Sequence, residues 1–427
     1  MSAADQSERR GGGVSTLELF FDLVFVFTIT QLTGVLVEEP SWEGLFQVSV
    51  MLGVIFWMYG GYVWLTNTVI VDRLARRLTL LGGMAGFLVV ALSVPEAFDG
   101  SGAAFGAAYL AVVLIHLGMF VRSSHVTVAQ AMVGLAPFNL GTALLIVVGG
   151  LLGGTAQYAI WATAFMLEWI SPKLIDDSGF VIEPGHFVER HGLVVIIAIG
   201  ESIIAVGIGA AGLPIDVGLV TAAVLGLGLS ACLWWSHFGA DEGVPEQRMA
   251  AAPMAARPRL AIHAFGYWHM LILLGVVAAA SALKETTAHP FDPLPEAQAL
   301  ALGGGVAVFL LGEALFRATL SMPSIASRGL TALLALASVP IGLELSAAAQ
   351  LTLLIVLLVA MLGLEYSRPT RRSAGRTATA RPASASPGAC IESGCSSGSS
   401  PTSLATRATR VRPRSSVARG PPPNSSP

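Results

Sequence analysis

The chain has 427 residues, 54% hydrophobic and only 12% charged, with a mean hydropathy of +0.71 and a formal net charge of −3. Soluble domains carry about 25% charged residues; here short charge clusters are separated by apolar runs of about 20 residues, the length a helix needs to cross a bilayer core. Composition therefore excludes a soluble enzyme, a nucleic-acid binder and an outer-membrane barrel, whose segments are ~10 residues of alternating hydrophobicity.

The apolar runs predict an all-α polytopic transmembrane bundle of about twelve spans, near 17–37, 45–66, 78–94, 102–121, 127–151, 154–171, 191–211, 215–238, 260–282, 298–320, 328–347 and 349–366. Charge tests this parse independently. With the N-terminus cytoplasmic, 23 of the 24 basic residues fall in inside segments or the C-terminal tail, and Lys284 alone lies outside. Loops on the other side carry Glu38, Glu39, Glu43, Glu96, Asp99, Asp216 and Asp292. Because basic loops stay inside, both termini are expected in the cytoplasm and the protein in the inner membrane.

The first apolar run follows Arg9 and Arg10 but is too long for a signal peptide and lacks a small-residue cleavage site, so it reads as a retained span. The predicted organisation is a cytoplasmic lead-in at 1–16, a first six-span half at 17–173, a cytoplasmic linker at 174–190, a second half at 191–366 and a tail at 367–427. The tail is rich in Ser, Pro and Arg and cannot bury enough apolar surface to order itself. Of the three cysteines, Cys232 lies in a span, and Cys390 and Cys395 lie in the tail with no zinc spacing.

Landmarks recur between the halves. Phe56-Trp57-Met58-Tyr59 and then Asp72 correspond to Leu233-Trp234-Trp235-Ser236-His237-Phe238 and then Asp241. Met119-Phe120-Val121-Arg122 corresponds to Ala314-Leu315-Phe316-Arg317, and Leu167-Glu168-Trp169 to Leu364-Glu365-Tyr366. Two tandem six-helix repeats of the same orientation are the expectation, of the parallel type found in transporters.

Ionisable groups inside spans cost about 2.5–3.5 kcal/mol each and mark function by default. Glu18 and Asp22 share one face of span 1, four residues apart. Glu201 follows His191 by ten residues, roughly 15 Å of helix, which places it near the midplane. With Glu313 of span 10 these are the candidate coupling or substrate-binding acids, set against the alternative that they form structural ion pairs. His186, Glu189, Arg190 and His191 crowd the mouth of span 7 as a candidate cytoplasmic gate. Arg259, His263, His269, Arg73, Arg122 and Arg317 are candidate counter-charges or relay groups. His263 and His269, six apart, point to different sides, and His186 with Glu189 offers too few ligands, so no metal site is expected. His116 completes the intramembrane set. No Walker loop, dinucleotide fingerprint, HExxH or nucleophile elbow is present, which excludes ATP-driven transport by this chain alone; no cofactor is expected.

The stretch from Glu18 to Thr33, ELFFDLVFVFTITQLT, with HFVERHGLVVIIAIGESI at 186–203, LWWSHF at 233–238 and the Arg259–His269 segment, resembles the bacterial low temperature requirement A (LtrA) family over about residues 14–366. The family's span-2 motif often has paired tryptophans, whereas this chain reads Phe56-Trp57. The resemblance implies a multi-pass inner-membrane protein and brings no reaction with it. The residues themselves favour a secondary transporter coupled to protons or a small cation, with an unidentified solute. A lipid-modifying membrane enzyme and a structural or sensory membrane protein remain as alternatives. The lipid bilayer is the expected partner, and nucleic acid is not.

Overall fold

A computed structural model describes residues 14–69, 73–122, 126–174, 182–239 and 241–367, with backbone alone for 126–133. Arg9, Arg10, Asp72, Cys390, Cys395 and the tail beyond Ser367 lie outside the described residues. Four of the long helices open on a side-chain cap, since the first N–H groups of a helix have no partner within it. Helix α1 (Thr16–Glu38) starts with a capping box: Ser15 accepts from the Glu18 N–H, and the Glu18 carboxylate accepts from the Ser15 N–H at 2.9 Å. Ser41 caps α2 (Trp42–Thr68). Helices α3 (Leu74–Ser93), α4 (Gly102–Val121), α5 (Val126–Leu152) and α6 (Gly154–Leu174) follow.

Helix α7 (Pro184–Gly209) is capped by Glu183, which accepts from the Gly185 and His186 N–H groups, and has a proline in its first turn. It thus begins seven residues before the expected span, so His186, Glu189, Arg190 and His191 lie within the helix. Asp216 caps α8 (Val217–Phe238). A short α9 (Val244–Ala251), absent from the sequence reading, precedes α10, which runs as Arg257–Ala261, a π-helical stretch Ile262–Trp268, and His269–Ala288. Helix α11 is Glu296–Thr319. The expected single span at 328–347 is broken into α12 (Ile325–Leu336) and α13 (Val339–Glu344), because Pro340 has no N–H to continue a helical ladder. Helix α14 (Ala347–Ser367) closes the bundle.

Among the described residues, eleven helical segments are long and apolar enough to cross a membrane. The remaining expected span, α6, is 21 residues long but carries Gln157, Glu168 and Lys173, which dilute its apolar character. No strand occurs among the described residues. Large apolar side chains such as Ile203, Val224, Leu227 and Val359 are more than half exposed; a surface of this kind belongs in contact with lipid.

Helix α1 packs on α2 and α3, α3 on α4, α4 on α5, and α6 on α5 and α2. Farther along, α7 packs on α8 and α10, α10 on α11, α11 on α12, and α14 on α12 and α8. Helices α1 and α2 meet α7 and α10 across the middle. At the α10–α11 seam backbones touch through glycines: a Cβ on Gly305 would sit 2.5 Å from the Ala279 nitrogen, and one on Gly275 2.4 Å from the Phe309 nitrogen. Such small-residue seams replace the hydrophobic driving force that lipid cannot provide. Gly305→Ala should lower stability by about 1–3 kcal/mol through overpacking. At Gly304 the nearest atom to an added Cβ is 4.0 Å away, so Gly304→Ala should be tolerated. Thermal melts of the two variants in detergent read the difference, and equal melts would refute the seam.

Candidate functional site

Asp22 and Arg190 each lie six residues inside their helices and meet across the α1–α7 interface. The guanidinium donates from Nε to Asp22 Oδ2 at 3.0 Å and from Nη2 to Oδ1 at 2.6 Å, a bidentate pair. Its Nη1 reaches Glu18 at 3.2 Å and the Thr66 hydroxyl at 3.0 Å. The Tyr59 hydroxyl donates to Asp22 at 3.0 Å, and His186 Nε2 lies 2.9 Å from Glu18. Phe21 and Tyr59 present ring faces to the guanidinium, each 5.9 Å from centroid to Cζ. Asp22 is wholly buried and Arg190 is 1% exposed. The two longest sequence motifs, carrying Glu18–Asp22 and His186–His191, are therefore one constellation in space. Arg190, placed by sequence in a gate, is the counter-charge of Asp22.

A second buried cluster centres on Glu313 of α11. Arg328 of α12 donates to it at 2.8 Å and to the Ser236 carbonyl at 2.6 Å, and reaches Glu365 of α14 at 3.0 Å. His237 at the end of α8 contacts Glu313 through Nδ1, and Arg317 pairs with Asp241 at 2.6 Å. Arg73, Arg122 and Arg259 are exposed, so of the four arginines expected as counter-charges only Arg317 enters a buried cluster. His263 Nδ1 sits 2.8 Å from the Arg259 carbonyl, and Glu189 is exposed, with the Val14 N–H at 3.3 Å.

Between the clusters runs a row of imidazoles. His191 and His269 stand edge to face at 5.6 Å between centroids, and His269 and His237 at 5.5 Å. His191 Nδ1 lies 2.9 Å from the Phe187 carbonyl, and His269 Nδ1 lies 3.0 Å from that of Ala264, five residues back, a reach set by the π-helical stretch. His269 Nε2 is buried with no partner among the described residues. A cleft of about 660 Å³ opens on this row; Glu183, Glu189, Asp241, Glu242 and Glu246 line it with His237 and His269, and among the described residues no lysine or arginine does. Such a lining concentrates cations. Among the described residues no group of three or more His, Cys, Asp or Glu is placed to hold a metal ion.

Glu201 stands apart. It is 1% exposed, accepts from the Thr30 hydroxyl of α1 at 2.6 Å, and belongs to no ion pair among the described residues. Because α7 begins at Pro184, Glu201 lies about 26 Å along a helix of about 39 Å, farther from its start than the sequence expectation. The pairs Asp22–Arg190 and Thr30–Glu201 advance together along both chains, so α1 and α7 run parallel. Sequence reasoning passed over Arg328, His237 and Glu168 as site residues. Glu168 is buried and accepts from Tyr109 at 2.7 Å and Thr142 at 2.9 Å. The recurring Leu-Glu-aromatic landmark that holds Glu168 and Glu365 was the available signal.

Helices of spanning length, a lipid-compatible surface and buried charge compensated across helices define a multi-pass helical membrane protein. Residues 13–363 match the family described as bacterial low temperature requirement A protein (LtrA), and the chain belongs to that family. It is 29% identical over 310 residues, 69% of this chain and 75% of the relative, to an uncharacterized protein of Rhizobium meliloti (strain 1021). No solved structure matches it.

Removing one member of a buried ion pair strands the other charge and costs about 3–5 kcal/mol. Arg190→Met should therefore lower stability by that order, and adding Asp22→Asn and Glu18→Gln to it should restore part of the loss. Unfolding in detergent measures both; a triple variant no more stable than Arg190→Met alone would show that uncompensated charge is not the cause.

Proposed function

We propose that the chain is a proton- or cation-coupled secondary transporter of the inner membrane, built as two tandem six-span repeats with both termini cytoplasmic. The observation that carries this reading is Glu201, a buried carboxylate whose partner is a hydroxyl rather than a cation. A carboxylate in that position is costly as a bare ion, and the cost falls when a proton or small cation joins it. Thr33, three residues beyond Thr30 on α1, and Ser202, next to Glu201, have buried hydroxyls without partners among the described residues, which supply further oxygens on the same two helices.

Asp22, Glu18 and Glu313, by contrast, are held by arginines, and in this reading they lock helices together while Glu201 handles the coupling ion. The acid-lined cleft gathers cations at the end of the bundle where α7 begins, the side that the basic loops assign to the cytoplasm. The recurrence of helix neighbours from α1–α6 to α7–α14 supports the repeat, and the parallel run of α1 and α7 is the relation that repeats of six spans require.

Proteoliposomes loaded with a pH-sensitive dye and holding a proton gradient test the reading. Adding Na+, K+ or a small amine should discharge the gradient in wild type. Glu201→Gln, which keeps an acceptor for Thr30, should abolish most of that exchange while melting as wild type. Exchange at the wild-type rate in Glu201→Gln would remove Glu201 from the mechanism.

A further inference from the structure

A second cavity, of about 110 Å³, lies on the far side of His191 from the acid-lined cleft, enclosed by α2, α4, α5, α6, α7 and the π-helical stretch of α10. Its character is the opposite of the cleft's. Trp57, Trp64, Trp169 and Phe265 form its walls, and among the described residues no carboxylate, lysine or arginine lines it. Among the described residues the Trp169 Nε1 has no partner, and neither ring nitrogen of His116, which is 1% exposed, makes a hydrogen bond of good geometry, the Gly61 backbone lying beside the ring. Buried donors of this kind are rare because leaving them unmade is costly. Neutral imidazole offers one donor and one acceptor, and indole offers a donor only.

The backbone has also been cleared at this place. A Cβ on Gly60 or Gly266, both on the cavity wall, would meet nothing within 4 Å. Gly266 belongs to the π-helical stretch, and insertions of this kind in helices occur frequently at functional sites. The volume is about three-quarters of the ~150 Å³ of an apolar cavity that takes up benzene.

We propose that this cavity binds the ring of a lipid-soluble quinone drawn from the bilayer. The occupant must be flat, ring-sized and uncharged to stack among the indoles, and it must carry oxygens that accept from Trp169 Nε1 and from His116. A quinone ring meets all four requirements in one molecule. Its reduced form fits as well, since a ring hydroxyl donates to the imidazole nitrogen that has no hydrogen. A phospholipid headgroup or an inorganic ion finds no counter-charge on these walls.

The test uses the full chain in nanodiscs, tetramethyl-benzoquinone as probe, and tryptophan fluorescence as the signal, because quinones quench indoles and three of the eight tryptophans line the cavity. Wild type should show saturable quenching beyond that of free tryptophan in empty nanodiscs. Para-xylene, which has a similar ring and no oxygen, should relieve the quenching with an apparent affinity at least tenfold below that of the quinone, a difference equal to about 1.4 kcal/mol. Gly266→Leu and Gly60→Leu, which fill the cavity, should lose the saturable phase, whereas Gly363→Leu on α14, also with open space around its Cβ, should keep it. His116→Phe should weaken the quinone and leave para-xylene competition unchanged. The proposal is overturned if wild type shows no saturable phase, if para-xylene competes as well as the quinone, or if the phase survives both cavity-filling variants. None of these results depends on ion exchange through Glu201.

Discussion

The bidentate pair between Arg190 and Asp22 is the interaction on which the rest of the bundle depends. It joins α1 to α7 at the same depth, and around it Glu18, Tyr59, Thr66 and His186 complete one polar cluster in an apolar setting. A guanidinium suits the task because its planar fork can serve two carboxylates and a hydroxyl at once while resting on aromatic rings. Arg328 repeats the solution on the other side with Glu313 and Glu365. With these two arginines paired, a bundle that has little hydrophobic force between its helices gains fixed registers for seven of them.

Much of the fold was legible because it rests on one-dimensional quantities. Apolar runs of spanning length and the distribution of arginines gave the helices, and α6 was found from its length despite Gln157, Glu168 and Lys173. What stayed hidden depends on contacts made at long sequence separation. Asp22 stands out in the sequence as an intramembrane acid, and it is buried, yet its partner lies 168 residues away, in a segment whose local crowding suggests a gate. His269 was read against His263 on the same helix, whereas its neighbours in space are His191 and His237, on two other helices. The π-helical stretch also escaped, since one extra residue in a turn leaves no mark on hydropathy.

Placing imidazoles in a row has a spatial result that neither cluster alone would give. His269 borders the acid-lined cleft and His191 borders the aromatic cavity, so two chambers of opposite character are divided by a single layer of rings, with Phe187 and Phe265 filling the gaps. The π-helical stretch of α10 borders both cavities, since Phe265 lines each of them. The tight glycine seam with α11 lies just beyond and holds this stretch in place.

The long separation between Asp22 and Arg190 also bears on how the protein is made. Chains emerge at about 5–20 residues per second, so α7 follows α1 into the membrane roughly 10–30 s later. For that interval the acids of α1 have no guanidinium beside them, and each charge in hydrocarbon costs about 2.5–3.5 kcal/mol. Arg328 follows Glu313 by only 15 residues, about 1–3 s at the same rate, so the second cluster closes almost as it is synthesised. The first six helices thus wait on the seventh for their charge to be covered, and a chain that stopped between them would leave its own opening helix unbalanced.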